Sequence, residues 1–294
     1  MHIVYVTDGK AGHRSQALGL YKAMQRKSQQ PVTLEEVAVE SLSCFNLFLA
    51  RGNQQHQAVQ QKPDYIFSVG SQTQLKALLL GQVFPKAKTV VLMKPKFPLH
   101  WFDYVVVPKH DSIAVEKNVI VTEGALNPIV NEKRHQAKRI LIALGGASKR
   151  HQWNADKVLE NIKKIVADNK KSEIVLTTSR RTPTEFLAQL STQDFAPKLQ
   201  IFPVQDTPQG WIFEQMQLAE AVWVTEDSVS MLYEALTAGC KVGAIAMDRV
   251  KQDRITTSVD LLLQHKQVSL ATSIAHLPKA QALQEADHVA AILL

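Results

Sequence analysis

Four short segments of this 294-residue chain gather residue types that handle anions or move protons. The first is DGKAGHRSQALGL, Asp8 to Leu20. Within nine residues it collects the acid Asp8, the bases Lys10, His13 and Arg14, and the donor Gln16. Gly9 and Gly12 let an anionic or bulky group approach the backbone closely. The spacing is neither that of a dinucleotide loop nor that of a P-loop, so neither cofactor is read from it. A Gly-rich connector in which Asp8 or Ser15 caps the next helix is the plainer alternative.

The second segment, LGGASKRHQW from Leu144 to Trp153, turns tightly at Gly145 and Gly146, and its amides near Ser148 suit a phosphate. The third, LTTSRRTP from Leu176 to Pro183, offers the hydroxyls of Thr178 and Ser179 and the guanidinium forks of Arg180 and Arg181, with Ser179 and Arg180 as the expected phosphate ligands. The fourth is VTEDSVSMLYEALTAGCKVG, Val224 to Gly243. There Asp227 or Ser228 is expected to cap a helix whose first amides, with Ser228 and Ser230, receive phosphate. Glu234 is expected almost two turns along, on roughly the same side, with its carboxylate accepting from two sugar hydroxyls. A capped surface helix with a solvated Glu234 is the alternative.

Each segment follows a β-branched run and precedes a helical pattern, which places all four at the carboxyl ends of parallel strands. In the first half, strands are expected at His2–Val6, Val32–Val37, Tyr65–Val69, Thr89–Met93, Tyr104–Val107 and Val119–Val121, with helices at Arg14–Lys27 and Gln72–Leu80. A polar stretch, Asn127–Lys138, reads as an exposed linker. Beyond it, strands at Arg139–Leu144, Glu173–Thr178, Leu199–Phe202, Ala221–Thr225 and Val242–Ala246 alternate with helices at Asn154–Asp168, Pro183–Leu190, Gln209–Leu218 and Val229–Ala238. Two doubly wound α/β domains are therefore expected, over residues 1–131 and 132–275. The Ala-, Gln- and Leu-rich tail (276–294) should form a terminal helix, from about Lys279, that docks across the domain interface. Such halves imply a cleft that suits a nucleotide-sugar donor in the second domain and an acceptor in the first.

Composition narrows the classes. With 45% hydrophobic and 21% charged residues, the chain has enough apolar surface for folded cores. Cys44 and Cys240 are too isolated for a disulfide framework or a zinc site, as in a reduced, cytoplasmic protein. No apolar run reaches the roughly 20 residues of a membrane span, and MHIVYVTDG reads as a strand rather than a signal peptide. The net charge of +7 is concentrated at the front, with 16 Lys+Arg against 10 Asp+Glu in residues 1–134 and 18 against 17 thereafter. That excess suits an anionic membrane surface, an acidic substrate or a merely solvated face. Nucleic acid is disfavoured, because no recognition helix, finger or aromatic RNP pattern accompanies the charge.

Taken with KFPLHWFDYVVVPKHD and TEGALNPI, the four segments resemble the ordered motifs of the mitochondrial-fission (elongated-mitochondria) family over about residues 1–250. The resemblance implies a GT-B-like fold, two Rossmann-like domains facing a cleft, with the donor site in the second. The fourth segment is also similar to the donor loop of the transferase that adds N-acetylglucosamine to the peptidoglycan lipid precursor. That likeness implies that Glu234 holds the ribose. The chain departs from its relatives in having Glu226-Asp227-Ser228 where Gly-Asp-Ser is usual, which adds a carboxylate beside the expected phosphate site.

The expected activity is metal-independent transfer from a nucleotide-sugar to a cell-envelope glycan or glycolipid at the inner membrane surface, with no cofactor beyond the donor. Asp8 or His13 is the expected base, with His100, His110 and Asp111 as outsiders. The rival expectation is a catalytically inactive GT-B-shaped adaptor that recruits partners at a membrane.

Overall fold

The computed structural model describes residues 1–281 and 283–294, and the chain divides into two units. Unit 1 comprises Met1–Pro128 and Gln284–Leu294, and unit 2 comprises Ile129–Leu283.

In unit 1, β1 (His2–Thr7), α1 (Ala11–Lys27), β2 (Thr33–Ala38), α2 (Cys44–Leu49), β3 (Tyr65–Val69), α3 (Gln74–Val83), β4 (Lys88–Leu92), β5 (Tyr104–Pro108) and β6 (Val119–Thr122) follow one another. The six strands run parallel in the order β2-β1-β3-β4-β5-β6. Parallel strands covered on both faces must be apolar throughout, and Ile3, Val4, Tyr5 and Val6 are all fully buried. Strand order reverses next to β1, so the β1/β3 boundary is the switch point where such sheets open a crevice at their carboxyl ends.

Unit 2 contains β7 (Gln136–Ala143), β8 (His151–Gln152), α4 (Ala155–Asp168), β9 (Glu173–Thr177), α5 (Phe186–Ser191), β10 (Leu199–Phe202), α6 (Trp211–Leu218), β11 (Ala219–Thr225), α7 (Val229–Ala238), β12 (Lys241–Ile245), β13 (Asp248–Arg249) and α8 (Arg254–Gln264). Its main sheet is parallel, in the order β10-β9-β7-β11-β12, with the switch point between β7 and β11. Two clusters, one around Leu232 and Leu236 of α7 and one around Ile162 and Ile165 of α4, supply its core. A two-stranded antiparallel pair, β8 with β13, lies outside the expected pattern, as do α2 and α8.

The tail departs from expectation in length. Its helix, α9, spans only Glu285–Leu293, and Ala282 lies outside the described residues. Ala286, Val289, Ala290 and Leu293 join the core beneath α1 in unit 1, where Arg26 pairs with Asp287 at 2.5 Å. The expected linker is only partly exposed, because Asn127 and Ile129 are buried and β7 already begins at Gln136.

Candidate functional site

In unit 1 the first segment lies at the switch point. Helix α1 starts earlier than expected, at Ala11, so Gly12, His13, Arg14 and Gln16 belong to its opening turns and only Asp8, Gly9 and Lys10 form the loop. Neither Asp8 nor Ser15 caps it, since the N-cap is Lys10 and no side chain takes the cap bond. Asp8 serves another purpose. Its side chain, 2% exposed, pairs with Lys10 Nζ at 2.7 Å and meets Nδ1 of His13 at 2.9 Å. Burial works to raise the Asp8 carboxyl, but the hydrogen bonds from Lys10 and His13 outweigh it and hold it below the ordinary carboxylate range.

With Nδ1 facing that carboxylate, a neutral ring would carry its proton there and leave Nε2 with the free lone pair. The turn after β3 makes room for the ring. Gly70 has φ +82°, and a Cβ there would stand 2.3 Å from Cε1 of His13. Only glycine satisfies both the backbone and the contact. Arg14 is occupied elsewhere, forked onto Glu36 of β2 at 2.7–3.0 Å.

In unit 2 the second, third and fourth segments meet at the β7/β11 switch point. The Gly145 amide donates to Thr225 Oγ1 at 2.7 Å, and Ser179 Oγ donates to the Gly145 carbonyl at 2.9 Å. The Asp227 side chain, fully buried, accepts from the Gly146 amide at 3.0 Å and pairs with Arg181 at 2.7 Å. A Cβ on Gly145 would lie 2.2 Å from Asp227 Oδ2, so the carboxylate fills the space that glycine leaves. Asp227 therefore lies in the loop as an anion in its own right, and it does not cap α7. Ser228 is the N-cap residue and makes no side-chain cap bond.

Several expectations change here. Arg181, not Arg180, reaches the glycine loop. Ser148 closes its own turn, its Oγ accepting from the amides of Arg150 and His151 at 3.1 Å each. Six residues at about 100° each place Glu234 roughly a third of a turn round from Ser228, so the two do not share a face. Ser230 and Met231, four and three residues earlier, are the neighbours of Glu234 on α7. Glu226 does not crowd the loop, because it is buried and bound to Arg249 at 2.9 Å and to the Met247 amide at 3.0 Å.

Among the described residues no hydrogen bond or ion pair reaches the Glu234 carboxyl, and desolvation alone pushes it up to about 8. Met231 helps to line a cavity of about 810 Å³ with Thr178, Ser179, Arg180, Val204 and Trp211. This cavity lies at the carboxyl ends of β9 and β10, and its far wall, from Val204 to Ile212, was not singled out from the sequence. Its signals were modest: Phe202 and Trp211, whose rings lie 5.1 Å apart, and Gly210, left-handed just before α6.

Comparison with known proteins places this geometry in a lineage. A relative in Rickettsia prowazekii (strain Madrid E), "Uncharacterized protein RP120", is 24% identical over 290 residues, covering 81% of each chain. Among solved structures, MurG of Acinetobacter baumannii has a TM-score of 0.53 at 14% identity, covering 99% of this chain and 90% of that one. The MnaA–UDP co-structure from Staphylococcus aureus gives a TM-score of 0.54 at 10% identity, with coverage of 98% and 94%. At such identities the likeness is one of fold, the GT-B architecture of two Rossmann-like domains. The family model "Mitochondrial fission ELM1" matches residues 11–294, and the chain belongs to that family.

Proposed function

We propose that the protein is a glycosyltransferase that binds a nucleotide-activated sugar in unit 2 and transfers the sugar to a glycan or glycolipid hydroxyl. The observation that carries this reading is Glu234, an unpartnered and desolvated carboxyl one turn along α7 from a cavity lined by Arg180 and Trp211. Strained ionisation beside a hollow marks a group awaiting a ligand. The cavity volume falls within the range of small-molecule sites. Trp211 and Arg180 offer flat faces to a base, and Glu234 accepts from the two ribose hydroxyls. The uncapped amides of α7 face the diphosphate, with Arg181 exchanging Asp227 for it. The MnaA–UDP co-structure supports the choice of a nucleotide ligand.

On the acceptor side, Nε2 of His13 takes the hydroxyl proton as the acceptor oxygen bonds to the anomeric carbon and the nucleoside diphosphate leaves with its electron pair. Asp8 holds the ring in position and stabilises the imidazolium. A glycolipid acceptor would be met at a bilayer surface; no helix among the described residues is long and apolar enough to cross a membrane.

Thermal shift with UDP-, GDP-, ADP- and CMP-sugars tests this reading. One nucleotide class at 100 times its Kd should stabilise the protein by about 2.7 kcal/mol. No shift with any class, together with tight capture of a protein partner, would favour a non-catalytic adaptor instead.

A further inference from the structure

Helix α2 carries an apolar face that unit 1 leaves uncovered. Its Leu47 is fully buried in the core, whereas Phe45, Phe48 and Leu49 are 69%, 55% and 63% exposed. Their spacing of three and four residues sets them on one side of the helix, opposite the buried anchor. Soluble surfaces scatter such residues singly, so three together on one turn mark a contact surface.

The charge around this face is mostly of one sign, with Glu40, exposed in the turn before the helix, as the exception. From Ser41 to Pro63 the chain contains no Asp or Glu, and from Ser41 to Phe102 it carries seven Lys and Arg against Asp64 alone. Three of these cations ring the helix. Arg51, just past its end, lies 5.5 Å from the centre of the Phe48 ring. Lys76 reaches the Val39 carbonyl before its start at 2.6 Å. Lys62 bonds Gln54, five residues beyond it, at 3.2 Å.

We infer that α2 is a membrane-docking element, which inserts Phe45, Phe48 and Leu49 among lipid chains while Arg51, Lys62 and Lys76 meet anionic headgroups. A short helix lying in the interface gains from apolar burial and from attraction to anionic lipid together. A protein groove would satisfy the three apolar side chains equally well, but it would not call for a surround in which Arg51, Lys62 and Lys76 outnumber Glu40. The inference goes beyond the donor-binding reading and does not depend on it.

The test is co-sedimentation of the full chain, without nucleotide, with phosphatidylglycerol/phosphatidylethanolamine vesicles and with phosphatidylcholine vesicles. The unmodified protein should pellet with the anionic vesicles, less so as salt is raised, and weakly with the neutral ones. Phe45→Ser with Phe48→Ser should weaken that partitioning roughly tenfold or more. Arg51→Glu, a fully surface change, should weaken binding to anionic vesicles alone. Equal partitioning of the unmodified protein and both variants would overturn the inference. So would a dimer in sedimentation velocity that the Phe45/Phe48 pair abolishes while vesicles are ignored, because the face would then belong to a second copy. Nucleotide binding in solution, measured on the same variants, should be unchanged.

Discussion

Burial pushes the Glu234 carboxyl up to about 8, against 4.5 for the ordinary group. Between those values the unfolded chain releases a proton that the folded chain keeps, so stability falls as pH rises through the window. Glu234→Gln should remove that slope. Because the residue retains some surface in water, the expected gain at pH 8 is on the order of 2 kcal/mol, with none at pH 4, read from melts at the two values. The same change should weaken nucleotide binding. A variant that is neither more stable at pH 8 nor impaired in binding would show that Glu234 is an ordinary surface acid.

Asp8 has the opposite sign. Its depressed carboxyl contributes stability that is present above its ordinary value of 3.8 and lost as pH falls below it. Its chemical task in this account is to orient His13. His13→Ala should slow turnover by about 10²–10⁴-fold with nucleotide affinity unchanged, whereas Asp8→Asn should slow it less. If turnover survives His13→Ala, the choice of base fails.

At the scale of elements, the turn from β3 to α3 holds His13 as firmly as Asp8 does. Gly70→Ala would combine a Cβ clash with the ring and a left-handed backbone, so it should destabilise unit 1 by roughly 1–3 kcal/mol and displace the imidazole. Chemical denaturation checks the first effect, and loss of the His13–Asp8 contact in a crystal structure of the variant checks the second. Gly70 was legible only as part of a turn, because its requirement comes from a helix some sixty residues away.

The same division runs through the whole reading. The strands of both sheets were legible, since continuous apolar runs such as Ile140–Ala143 admit few alternatives once both faces are buried. Helices with a strong apolar stripe, such as α4, were legible for the same reason. α2 escaped notice because its apolar residues point outward, so no core-facing period announces it. The loop segments were found, but their partners were not. Whether Arg180 or Arg181 meets the glycine loop depends on the direction in which the chain leaves β9, and composition does not encode that. Glu226 looked like a repelling charge because its partner, Arg249, lies twenty-three residues on.

At the scale of the whole molecule, each unit sets its polar segments at the switch point of its own sheet, and each site has a separate signature: an Asp–His pair in unit 1, and a cavity with a desolvated acid nearby in unit 2. Two parallel sheets built alike need not carry like chemistry, and net charge does not separate them: unit 1 has 14 Lys+Arg against 11 Asp+Glu, and unit 2 has 20 against 16. At its switch point unit 2 offers amides, hydroxyls and Arg181, which is paired with Asp227.

The most direct test of the donor site is a crystal structure soaked with the nucleotide class that gives the largest thermal shift. The account predicts density for the base in the cavity beside Arg180, Val204 and Trp211, with the ribose within hydrogen-bonding distance of Glu234 and the phosphates at the start of α7. Nucleotide bound instead on the Gly9–His13 segment of unit 1, or that cavity left without density at saturating concentration, would contradict it.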